Sequence, residues 1–174
     1  MSLSAARLTA AAAVGTALAL LAPMAASAHS TVEQDLATAK KATTKYQDEA
    51  EAIADGYVPT DQCAQSPDGA MGYHYVNPYL IDRKLDIRTP EVLVYQPDGY
   101  GGRKLVALEY YYVDADQDVE TDDDRPSLFG HPFDGPDEPQ EPGLPVNYTL
   151  HVWLYQHNPS GLFSPWNPAG SCGY

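Results

Sequence analysis

The sequence predicts an α+β domain, with one long N-terminal helix packed on a largely antiparallel sheet. Three observations carry that prediction. Residues 30–55 place apolar side chains at helical spacing. The segments after them are short, rich in tyrosine, valine and leucine, and bounded by Pro, Gly and Asn turn residues. One helix followed by strands is the order of an α+β fold.

The helix is read from Val32, Leu36, Ala39, Thr43, Tyr46, Ala50 and Ile53, which recur at steps of four and three and form one stripe. Ser30 followed by Glu33 fits a capping box, Gly56 suits the C-terminal cap, and Pro59 bars continuation. Strands are expected at Met71–Val76, Glu91–Gln96 and Lys104–Val113, with Pro97–Gly102 as the turn of a hairpin. Residues 114–145 hold acids, prolines and glycines with little periodicity and read as a long, flexible loop. Asn147–His157 reads as the last strand. Its alternation puts Tyr148, Leu150, Val152 and Leu154 on a core face, and Thr149, His151, Trp153, Tyr155 and His157 on the other. By analogy of plan alone, cystatin-like and cone-shaped rolls combine a helix and a sheet in this way.

Residues 1–28 read as a secretory signal peptide. Arg7 precedes an alanine- and leucine-rich run, Pro23 ends it, and Ala26-Ser27-Ala28 is a small-x-small cleavage signal. The run is too short for a confident membrane span, and no later segment is apolar enough for one. Residues 29–174 are then expected to be a single secreted, extracellular domain. The formal charge of −14 disfavours nucleic acid and anionic lipid as partners. A metal ion or a small molecule fits better. The two cysteines, Cys63 and Cys172, are expected to pair in an exported chain. A loop of about 100 residues closed in this way contributes about 4–5 kcal/mol in the chain-entropy model.

His74, Glu109 and His151 each sit in the middle of an expected strand. If the strands are neighbours, the three side chains converge. Two histidines and a carboxylate are a common ligand set for zinc or non-haem iron, and the set leaves positions open for water or substrate. The same trio could work as an acid–base pair with an orienting carboxylate. The plainer reading is a satisfied polar cluster, with the glutamate on a tyrosine hydroxyl and the histidines on backbone carbonyls. His29 would become the new terminus after cleavage, where its amino group and ring could chelate copper; otherwise it is a frayed terminal residue. Trp153, Tyr155, Tyr111 and His157 supply rings and hydrogen-bonding tips to the expected ligand pocket.

Asp114, Asp116, Asp118, Glu120 and Asp122 follow the alternate spacing of a calcium loop. Val119 stands where an EF-hand needs glycine and Arg125 where it needs the bidentate glutamate. An EF-hand is excluded, and a looser Ca²⁺ site stands against a solvated acidic loop. There is no Gly-x-Ser-x-Gly elbow, His-Glu-x-x-His helix or phosphate loop.

Met71-Gly72-Tyr73-His74-Tyr75-Val76-Asn77-Pro78, Pro90-Glu91-Val92-Leu93-Val94-Tyr95, and the stretch from His151-Val152-Trp153 through Asn158-Pro159-Ser160-Gly161 to Trp166-Asn167-Pro168 resemble a group of small secreted proteins of high-GC Gram-positive bacteria. The resemblance implies export and a single domain, and it assigns no catalytic residue. The lead expectation is a secreted domain that binds a small ligand or a metal in an aromatic and histidine pocket. An enzyme using the same trio on a small extracellular substrate is the second reading, and a polysaccharide-binding surface protein the third.

Overall fold

The computed structural model describes residues 31–139 and 143–173. The expected signal peptide and His29 lie outside the described residues. No helix among the described residues is long and apolar enough to cross a membrane.

The single long helix expected over residues 30–55 is instead two short ones. α1 (Val32–Thr43) starts one residue later than the expected cap. The Thr31 hydroxyl accepts from the Gln34 amide at 3.2 Å, and the Gln34 side chain accepts from the Thr31 amide at 3.0 Å. At its far end the Thr43 and Thr44 hydroxyls donate back to the carbonyls of Ala39 and Lys40, a local competition that weakens a helix. A 3₁₀ turn (Thr44–Gln47) follows, and Asp48 is extended at φ −88°, ψ 111°. α2 (Glu49–Ala54) then starts afresh, with the Asp48 carboxylate accepting from the Ala50 amide and Glu49 and Glu51 at the positive end of the helix dipole. The break rotates the buried face. Ala39, Thr43 and Tyr46 are buried as the stripe requires, but Ala52 is buried in place of Ala50 and Ile53. Gly56, at φ +94°, closes α2 in the left-handed conformation that glycine favours.

Six strands form an antiparallel sheet. β1 (Val58–Ser66), β2 (Gly69–Val76), β3 (Val92–Pro97) and β4 (Arg103–Val113) follow one another. β5 (Ser127–Leu128) and β6 (His131–Pro132) form a separate small hairpin. β7 (Asp134–Asp137) and β8 (Asn147–Val152) complete the main sheet, whose order is β1-β2-β3-β4-β8-β7. Three short strands therefore lie inside the segment expected to be one loop. β1 was not expected either; it is mostly exposed and carries Pro59, which a sheet tolerates at an edge.

One face of the sheet packs on the helices. Tyr75, Leu93, Tyr95, Leu108, Tyr110, Tyr148, Leu150 and Val152 meet Ala39, Tyr46 and Ala52 in the main core. A bulge at Val106 sets which β4 side chains reach that face. Val94 pairs with Ala107 while Tyr95 pairs with Leu105, so Val106 is the extra residue. Because strand side chains alternate, one inserted residue flips the row beyond it. Leu105 therefore joins the helix-side core, whereas Ala107 faces the opposite side with Val94 and Trp153.

Cys63 and Cys172 are disulfide-bonded, with their Cα atoms 5.8 Å apart across 109 residues of sequence. The bond fastens the C-terminal tail to the edge strand β1. The tail is also stitched to the start of β2, where Ala70 pairs with Asn167. Gly69 makes this approach possible, since a Cβ there would stand 2.3 Å from the Asn167 carbonyl.

Candidate metal centre

The face of the sheet away from the helices carries the candidate site. Register fixes its geometry. Glu109 of β4 lies directly opposite His151 of β8, and opposite Val92 of β3 on its other side. His74 of β2 lies opposite Val94. His74 and Glu109 thus lie two strands apart, and their side chains meet over the valines of β3 that separate them. The Nε2 atom of His74 is 3.4 Å from one carboxylate oxygen of Glu109, and the Nε2 atom of His151 is 3.8 Å from the other. The two imidazole rings are perpendicular, with centroids 6.1 Å apart. One ligand atom from each of the three residues lies within 4.8 Å of the other two.

Burial sets the protonation states. It pulls His74 down to about 4 and His151 down to about 3, with His74 a smaller second cause for His151. Both rings are therefore neutral at pH 7, the form that binds a metal. Burial alone pushes Glu109 up to about 8. The surroundings do little to satisfy these groups. His151 is 2% exposed, and neither of its ring nitrogens has a hydrogen-bond partner. The alternative of a satisfied polar cluster expects such partners, and His151 lacks them.

The trio opens onto a cavity of about 270 Å³. Its apolar lining includes Met71, Val76 and Val92 from the sheet and Pro165 and Trp166 from the tail. Tyr111, Asn147 and Thr149 extend the floor, and Asp134, Asp137 and Glu138 form an acidic side. Tyr111 therefore belongs to the cavity as expected from the sequence, with its hydroxyl turned aside to donate to the Pro145 carbonyl at 2.7 Å.

Three other expected pocket residues lie elsewhere, because the last strand ends at Val152 and not at His157. The Val106 carbonyl, freed by the bulge, accepts from the amides of both Tyr155 and Gln156 and turns the chain off the sheet. Trp153 is buried against Val94, Val106 and Ala107, and its indole N–H donates to the Ser164 carbonyl at 2.7 Å. It anchors the tail that forms the cavity wall. Tyr155 crosses to the helix side, where its hydroxyl meets Thr43 and the Lys40 carbonyl. His157 is exposed and outside the lining. Sequence reasoning missed most of the rest of the lining, including Trp166, Pro165, Asp134, Asp137 and Glu138, which come from the tail and from the segment read as a loop.

The acidic segment is used internally. Asp114 and Asp116 both accept from the Asp118 amide, Asp118 accepts from the Glu120 amide, and Asp122 pairs with Arg125. Among the described residues, the only His, Cys, Asp or Glu group whose ligand atoms converge is His74, Glu109 and His151. The expected calcium set, Asp114, Asp116, Asp118, Glu120 and Asp122, forms no such group.

Comparison with protein-family models, with curated proteins and with solved structures gives no match to this chain.

Proposed function

We propose that the chain is an exported metal-binding domain that holds one divalent transition ion between His74, Glu109 and His151. The observation that carries this reading is the convergence of two neutral imidazoles and a carboxyl group, which would give up its proton on binding an ion, at the floor of one cavity. Two ligands bonded to zinc at about 2.0–2.1 Å in tetrahedral geometry stand about 3.4 Å apart. The 3.4 Å and 3.8 Å separations lie at and slightly beyond that spacing. An ion would also give the Nε2 atom of His151 the partner it lacks. The disulfide supports the exported setting, since such bonds persist in oxidising compartments. In this reading residues 1–28 are the export signal, the plan is that of a cone-shaped roll, and the chain keeps company with the small secreted proteins it resembles.

Three protein ligands leave coordination positions free, and a cavity lies over them. That favours, as the second reading, a metal-dependent enzyme acting on a small substrate. A polysaccharide surface has less support, because the Trp153 ring is buried and its N–H already engaged. The deciding experiment is metal analysis of protein made without a histidine tag and reloaded with zinc, cobalt, iron or copper. One ion per chain is expected, lost in His74→Ala and His151→Ala and kept in His157→Ala. Less than about a tenth of an equivalent after reloading would sink the reading.

A further inference from the structure

The cavity has an electrostatic asymmetry that identifies the kind of molecule it would take. Among the described residues, its charged lining beyond the metal trio consists of Asp134 and Asp137 of β7 and the following Glu138, and no lysine or arginine lines it. Two basic groups outside the lining act on Asp134, and one of them, Arg125, donates to the Phe133 carbonyl at 2.7 Å and pairs with Asp122. His131, the other basic group facing Asp134, lies against Phe163 with its ring centroid 4.7 Å away, outside the lining. Acidic groups alone would not define a site. Here they share one cavity with His151, a buried imidazole whose nitrogens have no partner, so the wall and the ion position face the same space. The remaining lining is mostly apolar or aromatic, including Met71, Leu144, Pro165 and Trp166, with Asn147 and Thr149 as its uncharged polar members.

Resting on the metal reading above, we infer that the cavity binds a small amine. A neutral nitrogen or oxygen donor of the ligand completes the ion's coordination. Its ammonium group sits at the Asp134, Asp137 and Glu138 wall, and a short apolar linker lies against Trp166. The three carboxylates are exposed, and as a group of one sign they repel phosphates and carboxylates and attract ammonium, most strongly at low ionic strength. A cavity of about 270 Å³ is at the small end for a ligand pocket and suits a small molecule.

The test uses three ligands that share one metal donor and differ in the charge of a short arm. They are 1-(3-aminopropyl)imidazole, 1-butylimidazole and 3-(imidazol-1-yl)propanoate. Each is titrated into the cobalt(II)-loaded full chain at low ionic strength, and binding is read from the visible absorption of the cobalt ion. The amine is expected to bind about five- to tenfold more tightly than the neutral ligand, and the carboxylate more weakly than either. In Asp134→Asn/Asp137→Asn/Glu138→Gln protein the three affinities should converge while cobalt stays bound at one ion per chain. Equal affinities in the unsubstituted protein, or tightest binding of the carboxylate, would overturn the inference and leave the metal site standing. A chain that takes up no cobalt would overturn the metal reading, and the ligand assignment with it.

Discussion

Two buried glutamates mark the two faces of the sheet. Glu91, at the start of β3, is 2% exposed and spends its carboxylate on the Tyr111 amide at 3.0 Å. Glu109, on the adjacent strand β4 opposite Val92, is 7% exposed and faces the two imidazoles and the cavity. Burial pushes both up to about 8, although the hydrogen bond to Tyr111 opposes the rise at Glu91. The tyrosines of the helix side follow the Glu91 pattern. Tyr57 donates to the Pro90 carbonyl, Tyr95 to the Tyr46 carbonyl and Tyr110 to the Ile87 carbonyl. Tyr148 is the exception there, with a buried hydroxyl that has no partner. Polar groups on the helix face are mostly consumed by the backbone and hold the fold together. On the other face the trio is left to itself, which costs stability and keeps the ligand atoms available.

The largest expected effect comes from loading the site. A metal that binds only the folded chain adds about 4 kcal/mol when present at a thousand times its dissociation constant. Thermal melts with and without zinc should therefore separate by many degrees in the unsubstituted protein and coincide in His151→Ala. An equal shift in both would place the ion elsewhere.

Glu91 supplies the next effect, in the pH dependence of the metal-free chain. Its folded pKa of about 8 lies above the usual 4.5, so between those values the folded state holds a proton that the unfolded state has lost. Stability from this group is therefore complete below about pH 4.5 and declines as the pH rises towards 8. Glu91→Gln keeps an acceptor for the Tyr111 amide and carries no charge. Denaturant midpoints measured from pH 5 to 8 should decline less in this variant, by up to a few kcal/mol. Parallel pH profiles would show that the carboxyl is not held neutral.

His151→Leu sharpens the contrast between faces. It removes two unpartnered ring nitrogens and keeps an apolar side chain, so the metal-free protein should be unchanged or more stable by about 1–2 kcal/mol while metal binding disappears. A large loss of stability would show that the ring is structural. Tyr95→Phe is the helix-face counterpart. Losing the bond to the Tyr46 carbonyl should cost about 1 kcal/mol in denaturant melts and leave metal affinity untouched.

Much of the site was legible in the sequence, for a specific reason. His74, Glu109 and His151 interrupt apolar rows in three strongly patterned strands, and such strands pair in register. The cysteine pairing was legible as well, because the sequence holds only two cysteines. The rest turned on single residues. The bulge at Val106 is one inserted position with no compositional signature, yet it flips Leu105 and ends β8 before Tyr155. β1 and β7 are edge strands with Pro59 and Pro136, so neither reads as a strand. The helix break had a signal: Asp48 with Glu51 three places on is a capping pattern inside the apolar stripe.

The tail that walls the cavity is bonded through Cys172, which lies beyond every strand and helix of the fold. The bond to Cys63 on β1 is one tie among several that hold Pro165 and Trp166 against the trio: Asn167 pairs with Ala70, Trp153 donates to the Ser164 carbonyl, and Asn158 donates to the Trp166 carbonyl. Reduction of this one bond would release the far end of the tail from β1, while the hydrogen bonds nearer Trp166 and the three ligand residues in their strands would stay in place.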